Sequence, residues 1–127
     1  MTKVLVVDDD VEAAETLALL LDLSGHEADV VHDGRGAVAA WSAHRHPVVF
    51  LDLDLPDVDG YEVARTIRDT QSFDAPLVVA LTGQGREVLP RTRDSGFDSY
   101  LQKPAMVRDL VAAVRRVEPE PEPEDLA

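Results

Sequence analysis

The sequence predicts a doubly wound α/β domain with one parallel five-stranded sheet and five helices. Three observations support this prediction. Short runs typical of β-strands recur five times between residues 4 and 102, and each is followed by a polar residue. A segment with apolar residues at helical spacing comes after each run. Glycine, proline and aspartate separate the segments. Strands that alternate with helices of about ten residues form parallel βαβ units with right-handed crossovers.

The first unit occupies residues 4–25. Residues 4–7 (VLVV) form its strand, and Asp8-Asp9-Asp10 follow, where carboxylates can accept hydrogen bonds from the free N–H groups of a helix. The apolar spacing predicts a helix from Val11 to Leu23. Gly25 ends it, because glycine readily adopts the left-handed conformation common after helices.

The second unit follows the same pattern with a shorter helix. Residues 28–31 form the predicted second strand, and Asp33 is placed to cap the next helix. That helix should run from Gly34 to about His44. Pro47 prevents its continuation, because proline lacks the N–H group and clashes with the preceding turn.

The third unit contains the most apolar strand and the most acidic loop. Residues 48–51 (VVFL) form an uninterrupted apolar run, which is typical of a central strand covered on both faces. The loop at 52–60 holds four aspartates, a proline and a glycine. A third helix is predicted from Tyr61 to Asp69.

The last two units are shorter. Residues 77–81 form the fourth strand, and the loop 82–85 follows it. The helix predicted at 87–95 is acceptable only if Pro90 lies in its first turn. The fifth strand is 99–102, and a last helix is marked by apolar residues at 107, 110, 111 and 114.

Composition excludes several classes of protein. The 127 residues include no cysteine, which excludes a disulfide scaffold, a thiolate metal site and a cysteine nucleophile. Twenty-five acidic and twelve basic residues give a net charge of −13, so the surface should repel nucleic acid and anionic membranes. No apolar run approaches the roughly 20 residues that span a bilayer. We therefore expect a cytoplasmic protein with neither nucleic acid nor membrane as a partner.

The end of the chain differs from the rest. Residues 118–127 (EPEPEPEDLA) contain five acidic residues and no basic one. A segment of alternating acid and proline cannot bury apolar surface, so we expect it to be disordered. The predicted domain therefore comprises residues 1–117, followed by the acidic tail 118–127.

Four histidines and one tryptophan are further candidates for functional residues. His26, His32, His44 and His46 lie at predicted strand–helix junctions, where convergent zinc ligands are not expected. We interpret them as surface residues away from the acidic loops. Trp41 has the helical spacing of a core residue.

Polar side chains follow four of the predicted strands, and the fold should bring them together. Asp8 and Asp9 follow the first strand, Asp52 the third, Thr82 the fourth and Lys103 the fifth. In a flavodoxin-like sheet of order 2-1-3-4-5 these four strands are neighbours, and ligands bind at their carboxyl ends. Each motif alone also fits a helix cap or an ordinary turn. Four of them at the ends of four neighbouring strands favour one shared crevice.

The chemistry of this crevice suits a hard cation and a phosphoryl group. Neighbouring carboxylates repel one another unless a cation intervenes, and Mg²⁺ binds through carboxylates, waters and phosphate oxygens. Asp9 and Asp52 are candidate direct ligands, Asp8 a ligand through water, and the backbone carbonyl of Asp54 a further ligand. Mn²⁺ is the alternative ion.

The remaining groups are those that phosphoryl transfer requires. Asp52 is the candidate nucleophile, because carboxylates form acyl phosphates in covalent catalysis. Lys103 can pair with a phosphoryl oxygen as a point charge, and Thr82 offers a hydroxyl donor. The sequence therefore predicts an acceptor aspartate surrounded by a metal site and two donors.

Four stretches of the sequence resemble the receiver domain of two-component response regulators, the CheY-like family. They are VLVVDDD (4–10), VVFLDLDLPDVDGYEV (48–63), LVVALTG (77–83) and GFDSYLQKP (96–104), and the resemblance covers residues 3–117. It implies that Asp52 is the phosphoacceptor and that Asp8 and Asp9 hold Mg²⁺ together with Asp52 and the Asp54 carbonyl.

The resemblance also assigns a switch and a partner surface. It implies that Thr82 is the switch hydroxyl, that Lys103 pairs with the phosphate, and that Tyr100 swings inward when the hydroxyl moves. It also implies a cis bond between Lys103 and Pro104. The phosphoryl donor would be a histidine kinase or a histidine phosphotransfer protein. A downstream protein would dock on the face formed by helix 4, strand 5 and helix 5.

These implications predict a stand-alone response regulator receiver. It would be a phosphoacceptor signalling protein and not an enzyme, although it would assist its own phosphorylation and slow dephosphorylation. One alternative is an interaction module that works without phosphorylation. A haloacid-dehalogenase-like phosphatase, which also uses Asp-x-Asp, is disfavoured by Leu55-Pro56 after Asp54. A flavodoxin is disfavoured because Asp8-Asp9-Asp10 would repel a phosphate.

Overall fold

The architecture is that of the predicted doubly wound sheet. A computed structural model describes residues 2–70 and 75–117. The predictions for the acidic tail at 118–127 lie outside the described residues. Within them, no helix has both the length and the apolar character needed to cross a membrane.

Five strands and five helices alternate along the described residues. The strands are β1 (Lys3–Val7), β2 (Glu27–Val31), β3 (Val48–Asp52), β4 (Leu77–Thr82) and β5 (Ser99–Gln102). The helices are α1 (Val11–Leu23), α2 (Gly34–His44), α3 (Gly60–Asp69), α4 (Leu89–Asp94) and α5 (Val107–Arg115). A single 3₁₀ turn at Arg86–Val88 precedes α4. All strand pairs are parallel, and the sheet order is β2-β1-β3-β4-β5.

Alternation along the strands divides the core into two layers. Leu5, Val49 and Val78 are buried on the face covered by α2 and α3, together with Trp41 of α2. Val4, Phe50 and Val79 are buried on the face covered by α1 and α5. Every residue of β3 and β4 is buried, as the uninterrupted apolar run of β3 predicts for a central strand.

Aspartates begin three of the helices, as expected from their short acceptor side chains. Asp10 accepts a hydrogen bond from Ala13 N, Asp33 from Gly36 N and Asp59 from Glu62 N. Gly25 follows α1 with φ of +90°, which confirms its predicted role as the helix terminator.

Helix α4 has the form that Pro90 dictates. The helix was expected over 87–95, but it covers only Leu89–Asp94 and has proline in its first turn. Proline is tolerated there because the missing N–H would have no partner within the helix. Smaller differences extend β1, β2, β3 and β4 by one residue each.

The interpretation of the histidines as surface residues was wrong for two of the four. His26 is 7% exposed and His46 is 1% exposed. His46 is buried because Nε2 lies 2.7 Å from the Asp29 carboxylate, which supplies the partner a buried imidazole needs. His32 is exposed, yet its Nδ1 lies 3.0 Å from the Asp8 carbonyl and therefore donates to it, beside the acidic loop.

Candidate functional site

Three carboxylates meet at the carboxyl edge of the sheet. Asp8 directly follows β1 and is fully buried, and Asp52 is the last residue of β3 and is 3% exposed. Asp9 is exposed. One oxygen from each of the three carboxylates lies within 4.8 Å of the others. Strands β1 and β3 are adjacent and parallel, so their polar ends necessarily share this edge.

Lys103 brings a positive charge into the same crevice from the end of β5. Its Nζ lies 3.0 Å from Asp8 Oδ2 and 3.1 Å from Asp52 Oδ2. Burial alone would lower the pKa of Lys103, but the Asp8 and Asp52 carboxylates raise it above its ordinary value. The peptide bond from Lys103 to Pro104 is cis, as the resemblance implied. The two ion pairs, and not the peptide geometry, place the Lys103 ammonium group between two acids.

Asp52 has an unusual electrostatic environment. Burial raises the pKa of its carboxyl to about 6, although the Asp54 N–H and Lys103 both favour the ionised form. Asp52 Oδ1 accepts a hydrogen bond from Asp54 N at 3.0 Å. The Asp54 side chain is exposed, but this bond places its peptide group beside the Asp52 carboxylate.

Thr82 occupies the wall between Asp52 and Lys103. It is the last residue of β4 and is fully buried, and its Oγ1 accepts a hydrogen bond from Gln84 N at 2.9 Å. Its carbonyl accepts from Lys103 N at 2.7 Å. Asp52 pairs with Leu81 in the β3–β4 register, so Thr82 lies one position farther along the same edge.

Tyr100 lies beside the crevice and not in it. It pairs with Ala80 in the β4–β5 register, two residues before Thr82. Its side chain is partly buried against the core layer of α2 and α3 and lines a cavity between α4 and β5, with Leu89, Thr92 and Phe97 among the neighbours. The cavity leaves unfilled space beside the Tyr100 ring on its α4 side.

The loop 52–60 is held closely against the site. Gly60 N donates to the Leu53 carbonyl at 3.0 Å. A Cβ atom at Gly60 would lie 2.4 Å from the Asp52 carbonyl oxygen, so only glycine fits without displacement. The Asp57 carboxylate accepts hydrogen bonds from the first two N–H groups of α2, a long-range contact that the turn-like pattern of this loop does not indicate.

The donor set fits a hard divalent cation. Asp8, Asp9 and Asp52 offer only oxygen atoms, the ligands that Mg²⁺ and Mn²⁺ prefer. Lys103 is within reach of two of the three acids and offsets part of their charge. One ammonium group cannot neutralise three carboxylates, so the crevice keeps an excess of negative charge that favours binding of a cation.

Comparison with known proteins gives a consistent result. The model of the response regulator receiver domain family matches residues 4–115. The chain is 37% identical to the sensory transduction protein RegX3 of Mycolicibacterium smegmatis over 117 residues, which is 92% of this chain and 50% of that protein. It is 34% identical to the response regulator MprA of Mycobacterium tuberculosis over 98% of this chain and 54% of that one.

A solved structure has the same fold over almost its whole length. The chemotaxis response regulator CheY4 of Vibrio cholerae superposes with a TM-score of 0.85 at 27% identity, covering 93% of this chain and 99% of that one. The chain spans about half the length of the curated relatives it matches. The correspondence is therefore to one domain of those longer proteins.

Proposed function

This chain belongs to the response regulator receiver domain family of two-component signal transduction, and on that premise we propose that it accepts a phosphoryl group on Asp52 in a Mg²⁺-dependent reaction. One observation carries the proposal. The Asp52 carboxylate lies between a lysine at 3.1 Å and an acidic cluster that fits a divalent cation. These are the groups that surround a phosphoryl group during transfer.

The donor in this proposal is the phosphohistidine of a histidine kinase or a phosphotransfer protein. An Asp52 oxygen attacks phosphorus, the phosphorus–nitrogen bond breaks, and the imidazole leaves and takes a proton. The product is an acyl phosphate. It is hydrolysed slowly when water attacks phosphorus, which returns the carboxylate and inorganic phosphate.

The residues of the crevice would have two separate roles, metal binding and pairing with the phosphoryl group. Asp8, Asp9 and Asp52, with the Asp54 carbonyl, would hold the cation, which supplies charge neutralisation for the equatorial oxygens. Lys103 would transfer its ion pair from the Asp52 carboxylate to a phosphoryl oxygen. Because Lys103 and the carboxylates that would hold the cation already lie in the crevice, these side chains need little reorganisation during transfer.

Phosphorylation is proposed to act as a conformational switch through Thr82. The new phosphoryl oxygens offer the Thr82 hydroxyl a hydrogen-bond acceptor. When Thr82 moves toward them, the Tyr100 ring moves inward into the space that Thr82 leaves. The face formed by α4, β5 and α5 changes shape and binds a partner protein. This is a shift between two populations, biased by the charge on Asp52.

The output of the proposed switch extends beyond this domain. The curated relatives are about twice as long, so the phosphoryl signal could be delivered to a linked segment or to a separate protein. The expectation that nucleic acid is not a partner rested on the net charge of −13, and the comparisons with known proteins do not support it. We propose that the domain is a phosphoacceptor and not a turnover enzyme.

Intact mass measurement tests the proposal. The protein is incubated with acetyl phosphate and Mg²⁺, beside Asp52→Asn and an EDTA control. We expect one added phosphoryl group in the wild type and none in either control. If neither acetyl phosphate nor a phosphorylated phosphotransfer protein yields the adduct, the proposal is wrong and a phosphorylation-independent interaction module is favoured.

A further inference from the structure

Asp57 makes a contact that the proposed chemistry does not require. It lies in the middle of the β3–α3 loop, and its two carboxylate oxygens accept hydrogen bonds from Gly34 N at 2.8 Å and Arg35 N at 3.0 Å. These two residues begin α2, more than twenty positions earlier in the chain. The bond from Gly34 is the main reason that the pKa of Asp57 lies below its ordinary value.

Helix α2 already has a cap of its own. Asp33 Oδ1 accepts a hydrogen bond from Gly36 N at 2.6 Å, which is the usual local arrangement at a helix start. The first turn of α2 therefore binds two carboxylates, one from its own N-cap and one from a distant loop. The second carboxylate adds a connection between α2 and the loop that carries the acceptor.

The backbones are also in contact at this point. A Cβ atom at Gly34 would lie 2.9 Å from Val58 Cβ and 3.0 Å from the Val58 carbonyl oxygen. Gly34 is buried there. The loop and the helix therefore pack without space between them, next to the bonds from Asp57.

The rest of the loop explains what this connection controls. The Asp54 N–H bonds to Asp52 Oδ1 at the start of the loop, and Gly60 N bonds to Leu53 O at its end. Asp57 attaches the segment between these points to α2. The carbonyl of Asp54, the proposed backbone ligand of the cation, belongs to the part of the loop held in this way.

We propose that Asp57 is a positioning residue, which holds the β3–α3 loop against α2 so that the Asp54 carbonyl completes the cation site. This inference rests on the proposed function. Asp57 itself touches neither the cation nor the phosphoryl group. Coupling between two sites is reciprocal, so cation binding also stabilises the bonds at the start of α2.

Replacement of Asp57 separates positioning from helix stability. Asp57→Ala removes the connection to the loop, whereas the matched control Asp33→Ala removes only the local cap of the same helix. Mg²⁺ affinity is measured by titration of the backbone amide resonances. Removal of a group that orients a metal ligand typically weakens affinity at least tenfold. We expect the Mg²⁺ dissociation constant to rise about tenfold in Asp57→Ala and by less than about twofold in Asp33→Ala.

Three further measurements distinguish positioning from a purely structural role. At saturating Mg²⁺ the rate of Asp52 phosphorylation should return close to the wild-type value in Asp57→Ala. Asp57→Asn, which keeps one acceptor oxygen, should have an intermediate affinity. Hydrogen exchange at the Gly34 and Arg35 amides should slow when Mg²⁺ is added to the wild type, and this response should be lost in Asp57→Ala.

The outcomes distinguish the inference from the proposed function. Fluorescence of Trp41, which is buried in α2, verifies that each variant is folded. If the wild type binds Mg²⁺ and both alanine variants bind it equally well, or lose affinity equally, the positioning role is overturned and phosphorylation of Asp52 is unaffected. If the wild type binds no Mg²⁺, the proposed function fails first and the inference with it.

Discussion

At the scale of single residues, Asp52 combines two opposing properties. It is almost completely buried, which disfavours the charged carboxylate, yet a nucleophilic carboxylate must be ionised. Its pKa of about 6 lies well above the reference value of 3.8. At neutral pH the group is therefore largely ionised, but the folded protein is destabilised by that charge when no cation is present.

The destabilisation caused by the buried Asp52 charge predicts that Asp52→Asn changes the free energy of unfolding in a pH-dependent way when EDTA removes metal ions. A carboxyl whose pKa is raised on folding stabilises the folded state fully at a pH below its pKa in the unfolded chain, near 4. That stabilisation is lost as the pH rises through its pKa in the folded protein, about 6. We expect Asp52→Asn to increase the free energy of unfolding by about 1–2 kcal/mol at pH 7.5. The gain should shrink as pH falls toward 4, as measured by urea unfolding.

Gly60 predicts a second effect at the residue scale. Gly60→Ala places a methyl group 2.4 Å from the Asp52 carbonyl oxygen, so the loop must move. We expect a loss of about 2 kcal/mol in urea unfolding and a lower yield of phosphorylated Asp52. Gly83→Ala is the matched control, because a Cβ atom at Gly83 has no neighbour within 4 Å. Equal stability of the two variants would contradict this prediction.

At the scale of elements, α3 is connected to the amino ends of β4 and β5 by one side chain. Arg68 donates to the Gly96 carbonyl at 2.6 Å and to the Pro76 carbonyl at 2.9 Å, and it pairs with the Asp98 carboxylate. Asp98 in turn accepts from Val78 N at 2.8 Å. Three elements therefore depend on a guanidinium whose several donors cannot be replaced by an ammonium group.

Removal of this guanidinium should destabilise the fold. We expect Arg68→Ala to lose about 2–3 kcal/mol in urea unfolding, because backbone carbonyls and Asp98 lose their charged donor. Arg68→Lys should recover less than half of the loss. Arg65→Ala is the control on the same helix, because among residues 2–70 and 75–117 the side-chain hydrogen bond of Arg65 is a long 3.5 Å contact with Ser95 Oγ. A loss at Arg65 as large as that at Arg68 would contradict the assignment.

The elements themselves could be predicted because their signals are local. Apolar spacing placed α1 and α2 with the observed bounds, and Pro90 indicated the weak start of α4. The burial of His46 could not be predicted, since it depends on Asp29, seventeen residues away. The same is true of the bonds from Asp57 to α2. Local spacing does not specify side-chain contacts between distant segments.

At the scale of the whole molecule, the candidate site exists only in the folded state. Asp9 and Asp52 are brought together by the pairing of β1 with β3, so an unfolded chain offers no comparable cluster. A ligand that binds only the folded state stabilises it by mass action. The site could be predicted from sequence because parallel strands place their carboxyl ends on one edge.

Mg²⁺ should therefore stabilise the entire domain. At a concentration one hundred times the dissociation constant we expect a gain of about 2.7 kcal/mol in the free energy of unfolding, and EDTA should remove it. Asp9→Asn should abolish the gain. Asp9 is exposed, so its replacement should leave the metal-free fold intact. The same response to Mg²⁺ in Asp9→Asn would show that the ion binds elsewhere.

The parallel sheet also separates the acidic crevice at one edge from the beginning of β1 and the end of α5 at the other. Every described strand ends at the edge of the sheet where the acidic crevice lies, and the described helices return the chain to the opposite edge. The beginning of β1 and the end of α5 therefore both face away from Asp52. Another polypeptide can be fused at either position without covering the crevice, so gene fusion can join this unit to different outputs while its chemistry stays unchanged.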